Sequence, residues 1–367
     1  MDAETDATKE QQEKVASIVR AEHGRRPDAI EPIAAGLGRR RFYRLRFAEG
    51  EPTTLIARFE ATVKNDHTHP HSKPFAMEPP AWLPEPSLEP LRSFLEAAGL
   101  PVPRSYGHLP EHGLDLLEDV GDRTLADASQ STRSDLYRQA CELVPRLQRL
   151  SARPESVPAF GRMFDRALVE TKAWKWLHWT IPGLLKRDPS PAETLAVEAA
   201  FTRISALLDD APQRLAHRDF KAENLHLVAG QLVMVDVQGA FMAPPEYDLV
   251  CLLYDLQVDL DEAFAEKSFR KILPKLPDAS DLATATLRFD AIATVRLCKD
   301  VSHLVHAARA RNDFRRWHEI PRGLTLLERA TGRLGHTFPE IRTLTSVIQA
   351  LTAAVESSDS SYKERAR

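Results

Sequence analysis

The stretch LAHRDFKAENLHLVAGQLVMVDVQGA, residues 215–240, decides the fold. Three polar residues, Asp219, Asn224 and Asp236, interrupt otherwise apolar surroundings. An apolar run leads into a turn at Gly230, and the segment VMVDV then resumes an apolar strand, which is the pattern of a β-hairpin. Such a hairpin brings Asn224 and Asp236 together at its open end and leaves Asp219 on the loop just before it.

This group of side chains suits phosphoryl transfer. Metal ions must bridge the crowded negative oxygens of a triphosphate, and an amide together with a carboxylate supplies the hard oxygen ligands that suit Mg²⁺. A separate carboxylate must orient the attacking hydroxyl and accept its proton. The spacing H-R-D-x-x-x-x-N, followed by an Asp at a strand end, is the signature of a kinase catalytic loop. We therefore expect Asp219 to be the base and Asn224 and Asp236 to be the metal ligands.

The other polar residues of the loop have weaker assignments. We expect His217 to be a hydrogen-bonding residue beneath the loop and Arg218 to be a packing charge. Lys221 stands two residues after Asp219, where it either reaches the γ-phosphate and stabilises charge in the transition state or remains a solvated lysine. The loop alone leaves both roles of Lys221 open.

The N-terminal part of the chain carries the predicted phosphate-binding elements. Gly36 and Gly38 open a stretch in which apolar and polar residues alternate, with a turn at Gly50, and this pattern predicts a β-hairpin. The strand LIARF places Arg58 where a basic residue would pair with nucleotide phosphates, which a guanidinium can bind in a bidentate way. The alternative is an exposed strand arginine.

Two further nucleotide contacts are predicted around this sheet. A carboxylate on the next helix should orient Arg58, and Glu89 is the candidate. The segment LDLLEDVGD, residues 114–122, predicts a strand that runs into the link between two lobes. Its backbone near Glu118 to Val120 is expected to bind adenine.

The order of elements predicts an α+β protein, because a β-rich part precedes a mainly helical part. We expect an N-terminal helical extension over 1–30, a nucleotide-binding N-lobe over 31–120 with a proline-rich insertion at 62–90, a catalytic C-lobe over 121–356 and a polar tail over 357–367. Helical periodicity is predicted over 11–21, 88–98, 136–150, 163–177 and 194–208.

Composition narrows the classes of partner. The chain has 367 residues and a net charge of −4, so no basic excess directs it to nucleic acid or to an anionic membrane. The three cysteines are sparse, which fits a reducing cytoplasm. We expect a cytoplasmic monomer with no membrane segment. His67, His69 and His71 alternate in a proline-rich loop, a spacing more typical of a polar surface than of a metal site.

With these residues the chain resembles the aminoglycoside-phosphotransferase-like, protein-kinase-like superfamily. It is similar, more narrowly, to bacterial kinases that phosphorylate N-acetylmuramate and N-acetylglucosamine at C1. The segments that carry the resemblance are RRFYRLRF, EAAGLPVPRSYG, LDLLEDVGDRTL, FDRALVETKAWKWL, HRDFKAEN, PPEYDLVCLLYD and VRLCKDVSHLVHAARARNDF. The resemblance implies a bilobal kinase fold, ATP, Mg²⁺ and a small sugar as acceptor. It also implies that Asp219 receives the sugar hydroxyl proton and that Asp248 braces the catalytic loop.

The acceptor side is less specific. Gln238, Arg296 and Lys299 are candidates for substrate contacts, and the basic residues suit a carboxylated or phosphorylated substrate, although they equally fit a solvated helix face. An antibiotic kinase is one rival, but it would need an acidic pocket. A protein kinase is another, yet the short spacing between Asp236 and the Pro-Pro-Glu at 244–246 leaves no room for an activation segment. A non-catalytic nucleotide-binding pseudokinase is the third.

Overall fold

The computed structural model describes residues 2–33, 40–60 and 85–363, with side chains described for 12–33, 40–60 and 85–357. The chain forms two compact units. The first draws on Met1–His67, Ser87–Arg123 and His226–Val235. The second draws on Thr68–Pro86, Thr124–Leu225 and Asp236–Arg367. The division near residue 123 lies close to the predicted boundary at 120, but a segment of the β-rich island joins the first unit.

The first unit is built on a five-stranded antiparallel sheet with the strand order β1-β2-β3-β5-β4. Its strands are β1 Ala29–Ile33, β2 Arg41–Arg46, β3 Thr54–Phe59, β4 Ser105–Leu109 and β5 Leu114–Glu118. Two helices accompany the sheet, α1 Asp2–His23 and α2 Leu91–Ala97. The predicted β2–β3 hairpin is confirmed, with Leu45 paired to Leu55 across the two strands.

Alternate residues of the sheet form its core with α1. Tyr43, Leu45 and Ala57 point to one face and are at most 4% exposed. Val15 and Val19 of α1 are fully buried in the same cluster. The helix predicted over 11–21 is longer than expected. Its apolar stripe is part of the sheet's core rather than of a separate extension, because the stripe covers apolar side chains that would otherwise face water.

The second unit is mainly helical. Its helices are α3 Gln130–Gln148, α4 Arg166–Lys175, α5 Ile181–Leu185, α6 Pro191–Asp209, α7 Tyr247–Leu253, α8 Glu262–Ile272, α9 Leu282–Arg311, α10 Ile320–Thr337 and α11 Pro339–Lys363. A π-helical segment, Trp176–Thr180, joins α4 to α5. The described helices overlap each predicted helical stretch, and the α+β prediction is confirmed.

Four short strands lie within the stretch 215–240 or at its two ends. They are β6 Arg214–Ala216, β7 Leu225–Val228, β8 Gln231–Met234 and β9 Phe241–Ala243. β6 pairs with β9, and β7 pairs with β8 in the predicted hairpin. The turn of this hairpin is confirmed at Ala229 and Gly230, which both have positive φ angles.

The longest helix, α9, has clear ends. The Asp281 carboxylate accepts hydrogen bonds from the backbone N–H groups of Ala283 and Thr284, both at 3.0 Å, which satisfies donors of the first turn. Asn312 ends the helix in the left-handed conformation.

Across the described ranges 2–33, 40–60 and 85–363, none of the helices combines the length and the apolar character that a membrane crossing requires.

Candidate active site

The loop between β6 and β7 is held by a buried carboxylate. Asp248 of α7 is fully buried and accepts hydrogen bonds from the backbone N–H groups of His217, at 2.7 Å, and Arg218, at 3.1 Å. Burial raises the pKa of Asp248 to about 6, against the opposing effects of His217 and of the two N–H donors. The bracing role implied for Asp248 is what the structure shows.

Arg218 has a strained backbone within this loop. Its φ angle is 79°, in the left-handed region that side chains other than glycine seldom adopt. Its carbonyl oxygen accepts from Arg296 Nη1 at 2.7 Å and from the Cys251 thiol at 3.4 Å. Its side chain donates to Glu85 at 3.1 Å. Strain that is held in place by several contacts is typical of functional loops.

Asp219 lies among three cations. Its Oδ1 is 2.8 Å from Arg296 Nη2 and 3.4 Å from Lys299 Nζ, and its Oδ2 is 3.9 Å from Arg218 Nε. Burial acts to raise the pKa of Asp219, yet the charges of Lys299, Arg296 and Arg218 lower it well below its ordinary value. The side chain is 20% exposed, so Asp219 is an ionised acceptor that a ligand can reach.

Asn224 and Asp236 flank the β7–β8 hairpin. Asn224 Nδ2 donates to the backbone carbonyl of Asp219 at 2.8 Å, which directs its Oδ1 away from that carbonyl. Asp236 follows β8 with a φ of 61°, and its Oδ1 accepts from Gln238 Nε2 at 2.5 Å. An amide oxygen and a carboxylate, each oriented by a hydrogen bond, form a donor set that fits Mg²⁺.

The segment after Asp236 is fixed by an arginine that the sequence did not reveal. Arg162 is 8% exposed, and its Nη1 lies 3.4, 3.0 and 2.8 Å from the carbonyl oxygens of Gln238, Gly239 and Ala240. Burial lowers the pKa of Arg162 to about 10. No motif marks this residue, because its partners are backbone atoms far along the chain.

Neither role considered for Lys221 describes it alone, because the side chain is not simply solvated and does not point only toward a ligand. It forms an ion pair with Glu223, which in turn contacts Gln257 and Arg316. Burial acts to lower the pKa of Lys221, but the charges of Glu223 and Asp219 raise it overall. Lys221 is therefore charged, and its charge acts electrostatically on Asp219. Its contact with phosphate remains a prediction.

The three substrate-side candidates lie beside Asp219 and Asp236, the predicted base and one of the predicted metal ligands. Gln238 holds Asp236, and Lys299 contacts both Asp219 and Asp300. Arg296 is 6% exposed, and its guanidinium is shared by Asp219, Asp300 and the Arg218 carbonyl. The solvated helix face considered for Arg296 is wrong, because these contacts point it into the protein. We interpret Arg296 as a residue that positions Asp219.

In the first unit, Arg58 lies on the sheet face opposite to α1 and is 3% exposed. Its Nη1 contacts Asp115 Oδ2 at 2.5 Å and Glu60 Oε1 at 2.9 Å. Asp115 is the direct cross-strand neighbour of Arg58 on β5 and also contacts His108 Nδ1 at 2.7 Å. The alternative of an exposed strand arginine is therefore wrong. The acid in the middle of the apolar segment LDLLEDV was the signal that would have indicated Asp115.

The predicted partner of Arg58 has a different contact. Glu89 precedes α2, where it forms an ion pair with Arg92 and accepts from the backbone N–H of Ser93 at 3.0 Å. The expected pairing of Glu89 with Arg58 is therefore wrong, because Glu89 serves the first turn of its own helix.

The remaining nucleotide candidates are at the end of β5 or outside the described residues. The Glu118 backbone N–H donates to the Arg104 carbonyl at 2.8 Å, and Val120 follows the end of β5, half-buried. Gly36, Gly38 and the histidine triplet lie outside the described residues. Their assignments stay predictions.

Residues 29–282 match the model of the family described as the phosphotransferase enzyme family. The chain belongs to this family, and its class is that of the small-molecule kinases. Two curated relatives are each named N-acetylmuramate/N-acetylglucosamine kinase. The one from Pseudomonas putida KT2440 is 29% identical over 177 residues, which cover 47% of this chain and half of that protein. The one from Pseudomonas aeruginosa PAO1 is 26% identical over 290 residues, which cover 74% of this chain and 81% of that protein.

Solved structures share the fold. The choline kinase LicA from Streptococcus pneumoniae superposes with a TM-score of 0.58 at 14% identity, covering 89% of this chain and 99% of that one. The ADP-bound aminoglycoside phosphotransferase APH(2'')-Ib superposes with a TM-score of 0.53 at 14% identity, covering 89% and 97%. The predicted protein-kinase-like fold is confirmed.

Proposed function

We propose that the protein is an ATP-dependent kinase that phosphorylates the anomeric hydroxyl of an N-acetylated amino sugar. The observation that carries the proposal is the ionised, partly exposed Asp219 on a braced loop, with Asn224 and Asp236 at the hairpin that follows. The names of the two Pseudomonas relatives support the amino sugar as acceptor. The proposed reaction takes place in the cytoplasm, with a single chain as the active unit.

Asp219 accepts the proton of the attacking hydroxyl. The sugar oxygen forms a bond to the γ-phosphorus, the bond from that phosphorus to the β,γ-bridging oxygen breaks, and ADP leaves. Because the pKa of Asp219 is so low, the proton moves only when the new oxygen–phosphorus bond is well advanced, and before that the carboxylate mainly orients the hydroxyl. Arg296 and Lys299 hold the carboxylate in place for this step.

Asn224 Oδ1 and the Asp236 carboxylate are the groups that would hold Mg²⁺. When bound, the metal supplies positive charge to the phosphate oxygens. Gln238 orients Asp236, and Arg162 fixes the backbone that carries Gln238. In the nucleotide-binding unit, we propose Arg58 and the turn at 36–38 as phosphate contacts and the backbone at Glu118 to Val120 as the adenine contact.

The charges beside the base bear on the rival acceptors. Arg218, Arg296 and Lys299 surround Asp219 and already occupy the carboxylate contacts that a polycationic aminoglycoside would need. An acceptor that is neutral or negative at this end fits better.

An ADP-release assay with Mg-ATP tests the proposal. The acceptors are N-acetylmuramate, N-acetylglucosamine, glucosamine, plain hexoses and several aminoglycosides, each at several concentrations. We expect turnover on an N-acetylated amino sugar and none on its 1-O-methyl glycoside, in which the anomeric hydroxyl is blocked.

Three other results would each replace the proposal. Turnover of the blocked glycoside would move the phosphorylated position to another hydroxyl. Turnover of aminoglycosides alone would indicate an antibiotic kinase. ATP binding without turnover on any acceptor would indicate a nucleotide-binding protein that is not a catalyst.

A further inference from the structure

Two lysines of α4 lie one helical turn apart beside the catalytic loop. Lys175 is 7% exposed, Lys172 is partly buried, and α4 packs against α9. Lys175 Nζ is 2.8 Å from His303 Nε2 of α9. His303 follows Lys299 by four residues and therefore lies on the same face of that helix. The two lysines and the cations around Asp219 thus form one continuous region of basic side chains.

The two parts of this region differ in how their charge is balanced. Arg218 pairs with Glu85, and Arg296 and Lys299 pair with Asp219 and Asp300; these contacts are given above. Within the parts of the chain that the structure describes, no carboxylate lies within ion-pair distance of Lys172 or Lys175. The hydrogen-bond partner of Lys175 is an imidazole, and the Trp179 ring lies 5.1 Å from its Nζ.

The imidazole does not supply the missing negative charge. Burial lowers the pKa of His303 well below its ordinary value, and the charges of Lys175 and Lys299 lower it further, so the ring is neutral and accepts from Lys175. Burial also lowers the pKa of Lys172, as do the nearby charges of Lys175 and Lys299. Ammonium groups that are removed from water without a counter-charge are unfavourable, and an anion from outside the chain would relieve this cost.

A further donor lies at the same place. The indole Nε1 of Trp179 is buried and has no hydrogen-bond partner among the described residues. The ring contacts His306 in a tilted arrangement, with 4.2 Å between centroids, so the tryptophan is fixed beside Lys175. Buried donors are normally hydrogen-bonded, so an unused N–H beside two lysine side chains without a carboxylate partner among the described residues calls for a ligand.

We infer that Lys172 and Lys175 bind an anionic substituent, a carboxylate or a phosphate, on the molecule that is phosphorylated. The inference rests on the proposed function for the identity of the acceptor. Lys299 contacts Asp219 and lies one helical turn from His303, a distance of about 6 Å along the axis. The anionic substituent would therefore lie about one sugar ring away from the hydroxyl that reacts.

Three acceptors that share one sugar test the inference and separate the two kinds of anion. N-acetylmuramate carries a carboxylate, N-acetylglucosamine 6-phosphate carries a phosphate, and N-acetylglucosamine carries neither. The variants are Lys172→Met, Lys175→Met and the double variant, with Lys267→Met, an exposed lysine on α8, as the matched control. The ratio of kcat/KM for the anionic acceptor to that for N-acetylglucosamine is measured for each protein.

For the acceptor whose anion is recognised, we expect this ratio to fall about 10- to 100-fold in each single variant, the loss expected for one charge-assisted contact. The Lys267→Met control should keep the wild-type ratio. An unchanged ratio for both anionic acceptors in the double variant would overturn the inference. A ratio that falls only for N-acetylmuramate assigns the site to a carboxylate, and one that falls only for the phosphorylated sugar assigns it to a phosphate.

A second measurement keeps the inference separate from the proposed function. Tryptophan fluorescence is followed while inorganic phosphate, and separately D-lactate, is added to the wild-type protein without any sugar. A saturable response that disappears in the double variant supports the anion site even if none of the three sugars is a substrate. Sugar turnover without an anion response in the wild type would support the proposed function and contradict the inference.

Discussion

The two units each contain a cluster of basic and carboxylate side chains, and the two clusters differ in the group at the centre and in how exposed it is. In the sheet of the first unit, one cation, Arg58, lies between two carboxylates, Asp115 and Glu60. Arg58 is 3% exposed and its positive charge is matched by its own chain. A phosphate that binds there has to compete with carboxylates that are already in place.

In the second unit, one carboxylate, Asp219, lies among cations and is 20% exposed. The contacts are of similar length, at 2.8 Å from Arg296 to Asp219 and 2.5 Å from Arg58 to Asp115. The exposure of the central group, 3% for Arg58 and 20% for Asp219, and not the residue types or the distances, therefore distinguishes the balanced cluster of the first unit from one that a ligand can reach.

The largest effect is expected from breaking the balanced cluster. Arg58→Met leaves Asp115 buried without its cation, which should lower the free energy of unfolding by about 3–5 kcal/mol and weaken ATP binding about 10- to 100-fold. Chemical denaturation and ATP titration measure the two effects.

A double variant separates the two effects of that change. Arg58→Met with Asp115→Asn removes both charges and should recover most of the stability, but ATP binding should stay weak if Arg58 binds phosphate. Arg46→Met, at an exposed position of the same sheet, is the control. Wild-type ATP affinity in the double variant would restrict Arg58 to a structural role.

The next effect concerns the cations around Asp219. Lys299 is the nearby charge that lowers the pKa of Asp219 most, so Lys299→Met should raise that pKa. Because the proposed reaction needs ionised Asp219, the acid limb that this group sets lies below its ordinary range in the wild type and should move to higher pH in the variant. The variant also loses a contact that holds the carboxylate, so kcat near pH 7 should fall about tenfold. A wild-type kcat near pH 7, together with an unchanged acid limb in a profile measured down to the lowest pH at which both proteins stay folded, would show that Lys299 does not act through Asp219.

A smaller effect is expected from pH at the anion site. Burial lowers the pKa of Lys175 to about 8, so its charge is present below pH 8 and lost above it. The KM for an anionic acceptor should therefore rise about tenfold between pH 7 and pH 9, more than the KM for N-acetylglucosamine. The charged and titratable groups that face Lys175 are Lys172 on α4, Lys299, Asp300 and His303 on α9, and Arg218 on the loop. Equal pH dependence of the two KM values would contradict the role of Lys175.

The smallest effect should come from a position in neither cluster. Ser190 begins α6, where its Oγ accepts from the Glu193 backbone N–H at 3.3 Å and the Glu193 carboxylate accepts from the Ser190 N–H at 2.7 Å. Ser190→Ala removes this cap and should lower the free energy of unfolding by about 1 kcal/mol. Chemical denaturation measures the change in stability, and steady-state kinetics checks that acceptor preference stays the same. A changed acceptor preference would show that the two clusters depend on the cap of α6.

The sequence predicted what depends on local pattern. Alternating apolar residues indicated the β2–β3 hairpin, and the fixed spacing from His217 to Asn224 indicated the loop that we propose as catalytic, because both depend on neighbours along the chain. The helix at 88–98 was also indicated by its apolar spacing and by the Gly99 that follows it. These features need no knowledge of distant partners.

The sequence did not predict what depends on register and packing. Arg58 meets Asp115 only because β3 and β5 pair in one register, and a nearby helix offered the more familiar partner, Glu89. Arg296 looked like part of a solvated helix face until the packing of α9 placed it against Asp219. No sequence pattern marks Lys172 and Lys175, because lysines on a helix are usually solvated. That no described carboxylate pairs with them emerges only when α4 lies against α9.

The Asp219→Asn variant tests the central claim most directly, because it removes the charge while keeping the size of the side chain. Turnover of the best acceptor and the affinity for Mg-ATP are measured on the same folded protein, with circular dichroism to check the fold. We predict that kcat falls by about 10³-fold while the ATP affinity stays within about twofold of the wild type, since the proposed nucleotide contacts lie on other residues. A variant that turns over within about tenfold of the wild type would contradict the assignment of Asp219 as the base.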